Sequence, residues 1–316
     1  MRFGFDDDQL AMRDAVRSVC VDRPDPADAG RWRALADLGV LSLLDGGPGA
    51  EVGIVEAALV FEELGAHLIA GPVLWSTLAS PLVAGAGDGH LRVAGVEAGV
   101  AGAAGPVVVE HGAECDVLVV LHPDRVERCP RPDLVPEAAG APLDPGTPVG
   151  VLPALPAGEV VGGPSEARDL WRHGAVLAAA LLVGAAQGAL DLARDYAAER
   201  HQFGVPIGSF QAVKHLLADM YVRVELARAA TWAAAASLAG RGGAEPDRAA
   251  GTAKLLAGEA GVGNGRTAVQ VLGGMGFTWD MPAHRFLKRA WVLEHAFGTA
   301  PDHAARLGAA LGDGGS

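Results

Sequence analysis

The stretch of residues 199–228 contains the side chains best placed to do chemistry. Two helical patterns meet there, separated by a short run of glycine and proline that disfavours helix continuation. Arg200 lies at the exit of the first helix, and Ser209 is placed to cap the second. Unpaired amides and the helix dipole attract an anion to a helix N-terminus, and a neighbouring arginine adds a positive charge. The pattern predicts an anion site. A plain helical hairpin with a solvated arginine fits the same residues, and chemistry alone favours it.

The composition of the chain limits its classes of partner. It has 316 residues, of which 50% are hydrophobic and 20% charged, and a formal net charge of −13. This length supports an extensive core and more than one domain. A strongly acidic chain lacks the basic face that nucleic acid requires, so we expect no nucleic-acid partner. Local arginines can still hold an anionic ligand.

Cysteine use and hydropathy predict the compartment. Cys20, Cys115 and Cys129 show neither metal-ligand spacing nor an even disulfide framework, so we expect no metal site and a reducing environment. The N-terminal stretch MRFGFDDDQL is acidic, unlike a secretory signal. The most apolar run, residues 175–186, is too short to span a bilayer and is expected in a buried helix. These features predict a soluble, cytoplasmic protein.

Three helices are predicted in the first 70 residues. An acidic first turn followed by apolar residues at helical spacing predicts a helix over residues 5–21. A second helix contains Trp32 and Leu35, and Gly39 is expected to end or weaken it. A third helix is predicted over residues 54–64, ending at Gly65. We therefore predict an N-terminal helical domain at residues 1–70.

The pattern changes over residues 71–165, which we predict to be a small, mostly antiparallel β-domain. Short β-prone runs alternate there with glycine, proline and aspartate. The runs lie at residues 91–93, 106–109, 117–121 and 149–152.

Residues 166–316 have the pattern of a four-helix bundle. Long helices are predicted over residues 166–200, 211–239, 248–272 and 282–311, the last with an interruption near Gly298. Short connections between them imply an antiparallel arrangement. The second helix has a core stripe at Val213, Leu216, Leu217, Met220, Val224 and Ala227.

Two strings in this half resemble the flavin-dependent acyl-CoA dehydrogenase family. The first, R-x-Q-F-G-x-P-I-x-x-F-Q, begins at Arg200, and the second, QVLGGMGFTWDMPAHRFLKRA, covers residues 270–290. Their order and spacing are more specific than either string by itself. The resemblance implies a mainly α fold with an N-terminal helical domain, a reduced β middle domain and a C-terminal four-helix bundle. The family's T-E-P-x-x-G-S-D loop, which contacts flavin and substrate, has no counterpart here.

The resemblance also implies an FAD site. In the family, the arginine of the first string reaches the flavin pyrophosphate across a dimer interface, and the second string holds the nucleotide end. Glycines allow backbone to approach phosphates, and a side-chain amide can bind adenine or ribose. A plain helix-terminating turn is the alternative for the glycines that follow Gln270. The implied cofactor residues are Arg200, Gln202, Phe203, Gln211, Gln270, Gly273, Gly274 and Thr299.

The family's catalytic base is missing from both of its usual positions. The chemistry needs a carboxylate with a raised pKa, which removes a proton next to the thioester. Phe297 stands where most relatives carry this glutamate, and Gly174 stands where other relatives keep it. Glu294, His173 and His295 are the weak candidates for a relocated base. A surface or packing role suits these three better, because a shift of about 1 Å can lower a rate on the order of a hundredfold.

The combined pattern predicts an acyl-CoA dehydrogenase-like subunit that contributes to an FAD site but lacks its own glutamate. It resembles the degenerate partner chain of heteromeric bacterial acyl-CoA dehydrogenases. The resemblance implies an acyl-CoA thioester as substrate, a dimer or tetramer with a complementary subunit, and an electron-transfer flavoprotein as acceptor. Two alternatives remain: a self-sufficient FAD enzyme with a relocated base, and a non-catalytic scaffold of the same fold.

Overall fold

The structure, a computed structural model, describes residues 5–22, 29–46, 52–101, 106–131 and 141–313. The chain divides into two compact units, one formed by Met1–Val60 and Ile69–Gly174 and the other by Phe61–Leu68 and Ala175–Ser316. The domain boundaries predicted from the sequence, 1–70, 71–165 and 166–316, remain a prediction.

The first unit combines short helices with a small sheet. Its helices are α1 (Asp7–Asp22), α2 (Ala29–Asp37), the first half of α3 (Ile54–Ala66), α4 (Val73–Ala79), α5 (Ala98–Ala101) and the start of α6 (Pro164–Glu199). Its strands are β1 (Val93–Glu97), β2 (Val107–Glu110), β3 (Val117–Leu121), β4 (Val126–Pro130), β5 (Val149–Leu152) and β6 (Glu159–Gly162). The three helices predicted for the N-terminal region are confirmed, although α3 continues through Gly65 to Ala66.

The strands form a four-stranded sheet in the order β1-β3-β4-β6 and a separate antiparallel pair, β2-β5. Only the pairing of β1 with β3 is parallel among the described strands, so the predicted antiparallel character is confirmed. Both sheets contribute to one apolar core, because every second side chain of a strand lies on the same face. This core contains Ala94, Val96, Val107, Val109, Cys115, Leu118, Val120, Cys129 and Leu152.

The second unit is a bundle of long helices. It consists of the end of α3, most of α6, and then α7 (Gln211–Leu238), α8 (Pro246–Leu272), α9 (Ala283–His295) and α10 (Ala300–Asp313). Helix α8 packs against α7, α9 and α10. The buried amide of Asn264 on α8 donates to the carbonyl oxygens of Ala186 on α6 and Met220 on α7, at 3.2 and 3.0 Å. This residue therefore connects three helices of the bundle.

Glycine allows a close helix crossing in the second unit. A Cβ on Gly184 of α6 would lie 1.9 Å from the carbonyl oxygen of Glu62 on α3, so the two backbones touch where a side chain has no room. By length and composition α6 could cross a membrane, but 72% of its most apolar 18-residue segment is buried inside the structure. The predicted buried helix at residues 175–186 is confirmed.

Two local predictions in this unit have opposite outcomes. The interruption near Gly298 is confirmed, because α9 ends at His295 and α10 begins at Ala300. The predicted cap of α7 is wrong: the N-cap is Phe210, and the hydroxyl of Ser209 donates to the carbonyl oxygen of Pro206 at 2.7 Å. A turn of 3₁₀ helix, Ile207–Ser209, precedes α7, and it contains the serine that the sequence pattern assigned to the cap.

Candidate functional site

A tight hairpin follows the end of α6. Strands β7 (His201–Gln202) and β8 (Val205–Pro206) pair across a turn whose two central residues, Phe203 and Gly204, have φ angles of 54° and 81°. Positive φ at both central positions is the geometry of a type I′ turn. Phe203 is 92% exposed, and its ring meets that of Phe210 edge to face at 6.2 Å between centroids. A phenylalanine held in a strained conformation and almost fully exposed is a candidate contact for a ligand or a second chain.

The backbone of Arg200 is fixed at the base of this hairpin, while its side chain is exposed. Its amide donates to the carbonyl oxygen of Tyr196 at 2.8 Å, and its own carbonyl oxygen accepts from the amide of Ile207 at 2.7 Å. The guanidinium group forms no ion pair with any other residue that the structure describes. It is therefore positioned and available to bind an anion.

Antiparallel packing of α7 and α8 brings the two sequence strings to one end of the bundle. The guanidinium of Arg223 on α7 donates to the side-chain oxygen of Asn264 on α8 at 3.3 Å, and this contact sets the register of the two helices. In this register, Gln211 at the start of α7 lies level with the glycine turn that follows α8. Gln211 and Gln270 are both exposed. The two sequence strings predicted Gln211 and Gln270 separately, and the antiparallel packing of α7 and α8 places both residues at the same end of the bundle.

The glycines of the turn differ in what they can do. Apart from the adjoining backbone, no described atom lies within 4 Å of the position that a Cβ on Gly273 or Gly274 would occupy, and both residues are exposed. Gly273 has a φ of 59° and ends α8 by donating its amide to the carbonyl oxygen of Gln270. By contrast, a Cβ on Gly276 would lie 2.6 Å from the carbonyl oxygen of Val269, so this glycine is required for packing. The first two glycines leave open space that a phosphate or nucleotide can approach.

These residues fit the nucleotide end of FAD. An unpaired arginine suits a pyrophosphate, exposed amide side chains suit adenine or ribose, and the open glycine turn suits close approach of a ligand. Gln202 is also exposed, and its amide nitrogen donates to the carbonyl oxygen of His201 at 3.0 Å. The assignment of each residue to FAD remains a prediction from the family resemblance.

The residue at the position that the family resemblance assigns to the base is buried. Phe297 has no exposed surface and a φ of 55°, so its side chain is held in the core by a backbone conformation that phenylalanine seldom adopts. Its carbonyl oxygen accepts a hydrogen bond from Nε2 of His303 at 2.9 Å. Lys254 on α8 is also fully buried, and its Nζ donates to the carbonyl oxygens of Glu294 and Gly298 at 2.8 and 3.0 Å. An apolar ring therefore occupies the position that the sequence comparison assigns to the base.

Thr299 already has a structural role beside this segment. Its amide and hydroxyl donate to the carboxylate of Asp302 at 2.9 and 2.6 Å, which caps the start of α10. These two hydrogen bonds hold the pKa of Asp302 below its usual range. The predicted contact between Thr299 and the flavin remains a prediction.

The weak candidates for a relocated base lie in ordinary surroundings. Glu294 lies in the last turn of α9. Its Cγ is 3.7 Å from the position that a Cβ on Gly258 of α8 would occupy, so the side chain packs against α8. His295 is exposed, and its Nδ1 lies 2.8 Å from the carbonyl oxygen of Trp291. Half-buried His173 has its pKa lowered by burial, and Gly174 beside it is buried. Glu294 and His295 already have packing or backbone contacts, and a base role for any of the three remains a prediction.

The two parts of the candidate site lie far apart on this chain. Lys254 on α8 contacts the segment around Phe297, and Gln270 lies near the other end of the same helix, among the residues predicted to bind the nucleotide. At about 1.5 Å of rise per residue, the two positions are separated by about 24 Å along the helix axis.

Burial of His303 makes the stability of the chain depend on pH. Burial lowers the pKa of His303 to about 4, whereas the pKa of a histidine in the unfolded chain is about 6.5. The folded chain therefore binds fewer protons, and stability present above about pH 6.5 is lost as the pH falls toward the folded pKa. We expect this histidine to account for a loss of about 2 kcal/mol between pH 7.5 and pH 5. Urea unfolding of wild type and His303→Gln at both pH values measures it, and equal pH dependence in the two proteins would contradict it.

Comparison with known proteins identifies the family. Residues 164–311 match the model of the acyl-CoA dehydrogenase C-terminal domain. The acyl-CoA dehydrogenase IpdE2 of Mycobacterium tuberculosis is 32% identical over 305 residues, covering 90% of this chain and 91% of that protein. The chain belongs to the acyl-CoA dehydrogenase family. The predicted family is thus confirmed.

Solved structures confirm the predicted fold class of this family member. A chain of the ChsE4-ChsE5 complex from Mycobacterium tuberculosis superposes with a TM-score of 0.83 at 26% identity, covering 99% of each chain. An FAD-dependent dehydrogenase gives a TM-score of 0.83 at 20% identity, covering 99% of this chain and 100% of that one, which shows the shared fold alone. The first of these structures is a complex of two different chains.

Lys254 and His303 were not predicted as site residues. One signal was available: Lys254 lies at core spacing on α8, between Gly251 and Ala257, where a solvated lysine would not be expected. No pattern in the sequence indicated that His303 contacts the segment around Phe297.

Proposed function

We propose that this chain is the subunit of an acyl-CoA dehydrogenase that supplies the nucleotide end of a shared FAD site and lacks a catalytic carboxylate of its own. The observation that carries the proposal is the contrast between Phe297 and Arg200. The first is completely buried at the position of the base, and the second presents an available guanidinium to solvent. The reaction proposed for the complex is the α,β-dehydrogenation of an acyl-CoA thioester.

The chemistry divides between the subunits in this proposal. A carboxylate of the partner subunit removes the proton next to the thioester carbonyl, and FAD, when bound, would accept the hydride from the adjacent carbon. Arg200 holds the pyrophosphate, and the backbone of Gly273 and Gly274 allows the nucleotide to approach. Gln202, Gln211 and Gln270 supply amide hydrogen bonds to the same end.

An exposed apolar face on α7 supports assembly with a second subunit. Tyr221, Val222 and Leu226 are 56, 53 and 57% exposed, and they follow Gln211 along the helix. Clustered apolar side chains on one helix of a globular chain mark a surface that another protein covers. We infer that a second acyl-CoA dehydrogenase-like chain covers this face, in a dimer or tetramer. The complex is proposed to be cytoplasmic and to pass electrons to an electron-transfer flavoprotein, as the resemblance implies.

A charge on this face should prevent assembly. Replacing Leu226 by glutamate is expected to weaken association by at least about 2 kcal/mol, roughly 30-fold, because an unpaired carboxylate would be desolvated in the interface. Size-exclusion chromatography of the co-purified complex measures this effect. Val160→Glu is the matched control, since Val160 is equally exposed, at 57%, on a strand of the other unit. Equal assembly of both variants would contradict the assignment.

The proposed function is tested by dehydrogenase assays with an artificial electron acceptor. We expect the chain purified alone to be slow or inactive with any acyl-CoA thioester, and co-expression with an acyl-CoA dehydrogenase-like chain encoded beside it to restore activity. Full activity of the lone chain would contradict the proposal. Single alanine variants of Glu294, His173 and His295 would then show whether one of them is the base, since the loss of the base should nearly abolish the rate.

A further inference from the structure

Two buried side chains from different helices bond to the backbone of residues 294–298. Lys254 reaches from α8 to the carbonyl oxygens of Glu294 and Gly298. The first of these belongs to the last turn of α9, whose carbonyls have no partner within the helix. The ammonium group also lies at the negative end of the α9 dipole. Lys254 therefore satisfies the end of one helix and the turn that follows it.

His303 reaches the same turn from α10. Its Nε2 is 2.9 Å from the carbonyl oxygen of Phe297, so the neutral ring donates through this nitrogen. Gly298 has a φ of 90°, and a Cβ there would lie 3.0 Å from the same nitrogen, so the ring fills the space above the glycine. The carbonyl oxygen of Glu294 at the end of α9 and those of Phe297 and Gly298 in the following turn are thus bonded by side chains of two different helices.

Packing alone does not explain this arrangement. Burial of an ammonium group opposes folding, and an apolar side chain of similar volume is often as stable at such a position. Phe297 has a positive φ, a conformation that a residue with a bulky side chain keeps only where the surroundings fix it. A buried lysine that fixes this conformation sets the geometry of the backbone that leads directly into Thr299.

We propose that Lys254 and His303 are positioning residues, which fix the turn so that Thr299 is held at the flavin of the shared site. The inference rests on the proposed function for the presence of a flavin, but the positioning of the turn stands on the contacts of this chain. Both residues act through the backbone of the turn, and neither is assigned a contact with substrate.

The positioning is tested by hydrogen exchange on the full-length chain. Replacing Lys254 by methionine leaves two buried carbonyl oxygens without their donor, and the amides of residues 296–303 should exchange about tenfold faster or more. Thr231→Val is the matched control: it also removes a buried polar group from the bundle at nearly constant volume, but the bond it loses goes to the carbonyl oxygen of Ala227 within α7. His303→Gln keeps a donor for the carbonyl oxygen of Phe297 and should retain slow exchange, whereas His303→Leu should not.

The link to the cofactor is tested on the complex with its partner subunit. Lys254→Met and His303→Leu should each weaken flavin binding about tenfold or more and change the visible absorbance of the flavin, while Thr231→Val and His303→Gln leave both close to wild type. Unchanged exchange at residues 296–303 in Lys254→Met would overturn the positioning, and if that variant does not fold, His303→Leu decides the same point. Faster exchange with unchanged flavin binding would overturn the role at the cofactor. A wild-type complex without flavin would contradict the proposed function and this role alike, while the exchange result still decides whether the turn is positioned.

Discussion

Replacing Arg200 by glutamine is expected to weaken flavin binding to the assembled complex by about 30- to 900-fold. The reason is the loss of a charge-assisted contact with the pyrophosphate, which amounts to about 2–4 kcal/mol where the partner charge is left desolvated. The fold should not change, because the guanidinium forms no ion pair with any residue within the described ranges. Flavin fluorescence titration of the apo complex, with melting temperature as a check, measures the effect.

Arg194 provides the matched control on the same helix. Its guanidinium is exposed and paired with Asp191 at 2.7 Å and Asp195 at 2.8 Å, so Arg194→Gln removes the same charge from α6 without touching the hairpin. Arg200→Lys should recover part of the affinity, because the ammonium keeps the charge but not the bidentate geometry. If Arg194→Gln weakens flavin binding as much as Arg200→Gln does, the effect is one of net charge, and the assignment of Arg200 is wrong.

Arg228→Met is expected to lower the free energy of unfolding by about 3–5 kcal/mol, because it leaves a buried carboxylate without its partner. Arg228 on α7 donates to Glu62 on α3 at 2.7 Å and to Gln187 on α6 at 2.8 Å, and it also pairs with Glu225. The side chains of Arg228 and Glu62 are only 15 and 16% exposed. Urea unfolding measures the loss.

The pH dependence of this loss gives an independent check. Burial raises the pKa of Glu62, with the charge of Arg228 acting in the opposite direction. Without Arg228 the pKa should rise further, so the folded state binds a proton more tightly than the unfolded state. The loss should therefore be largest at high pH and smaller as the pH falls through the raised pKa. The double variant Glu62→Leu/Arg228→Met should recover most of the stability, and a loss that is independent of pH and of Glu62 would contradict this account.

The bundle could be predicted because its helices are long and amphipathic. The buried residues Met220, Val224 and Ala227 of α7 lie at the predicted spacing, and the connections contain glycine and proline. The middle region was harder, since α4, a short apolar run of seven residues, cannot be distinguished from a strand by its periodicity. Strands β4 and β6 were not predicted. Charged residues interrupt the apolar pattern of β4, while β6 has only four residues and begins with a glutamate.

The candidate site was predicted as two separate strings, and the structure supplied their relation. Antiparallel pairing of α7 and α8 places Gln211 level with the glycine turn, which no single string contains. The contacts of Lys254 and His303 were not predictable, because they go to backbone oxygens, for which the residue type carries no information. Those of Lys254 also join residues 40 and 44 positions apart. The sequence alone showed that position 297 carries phenylalanine and no glutamate. Only the structure showed that the side chain of Phe297 is completely buried.

An absorbance spectrum of the chain purified alone, repeated after co-purification with the acyl-CoA dehydrogenase-like chain encoded beside it, tests the central claim most directly. A colourless lone protein and a yellow complex are expected, because in the proposed function this chain supplies the nucleotide end of a flavin site that a second chain completes. Flavin bands near one per chain in the lone protein would contradict it, since they would show a complete site without a partner.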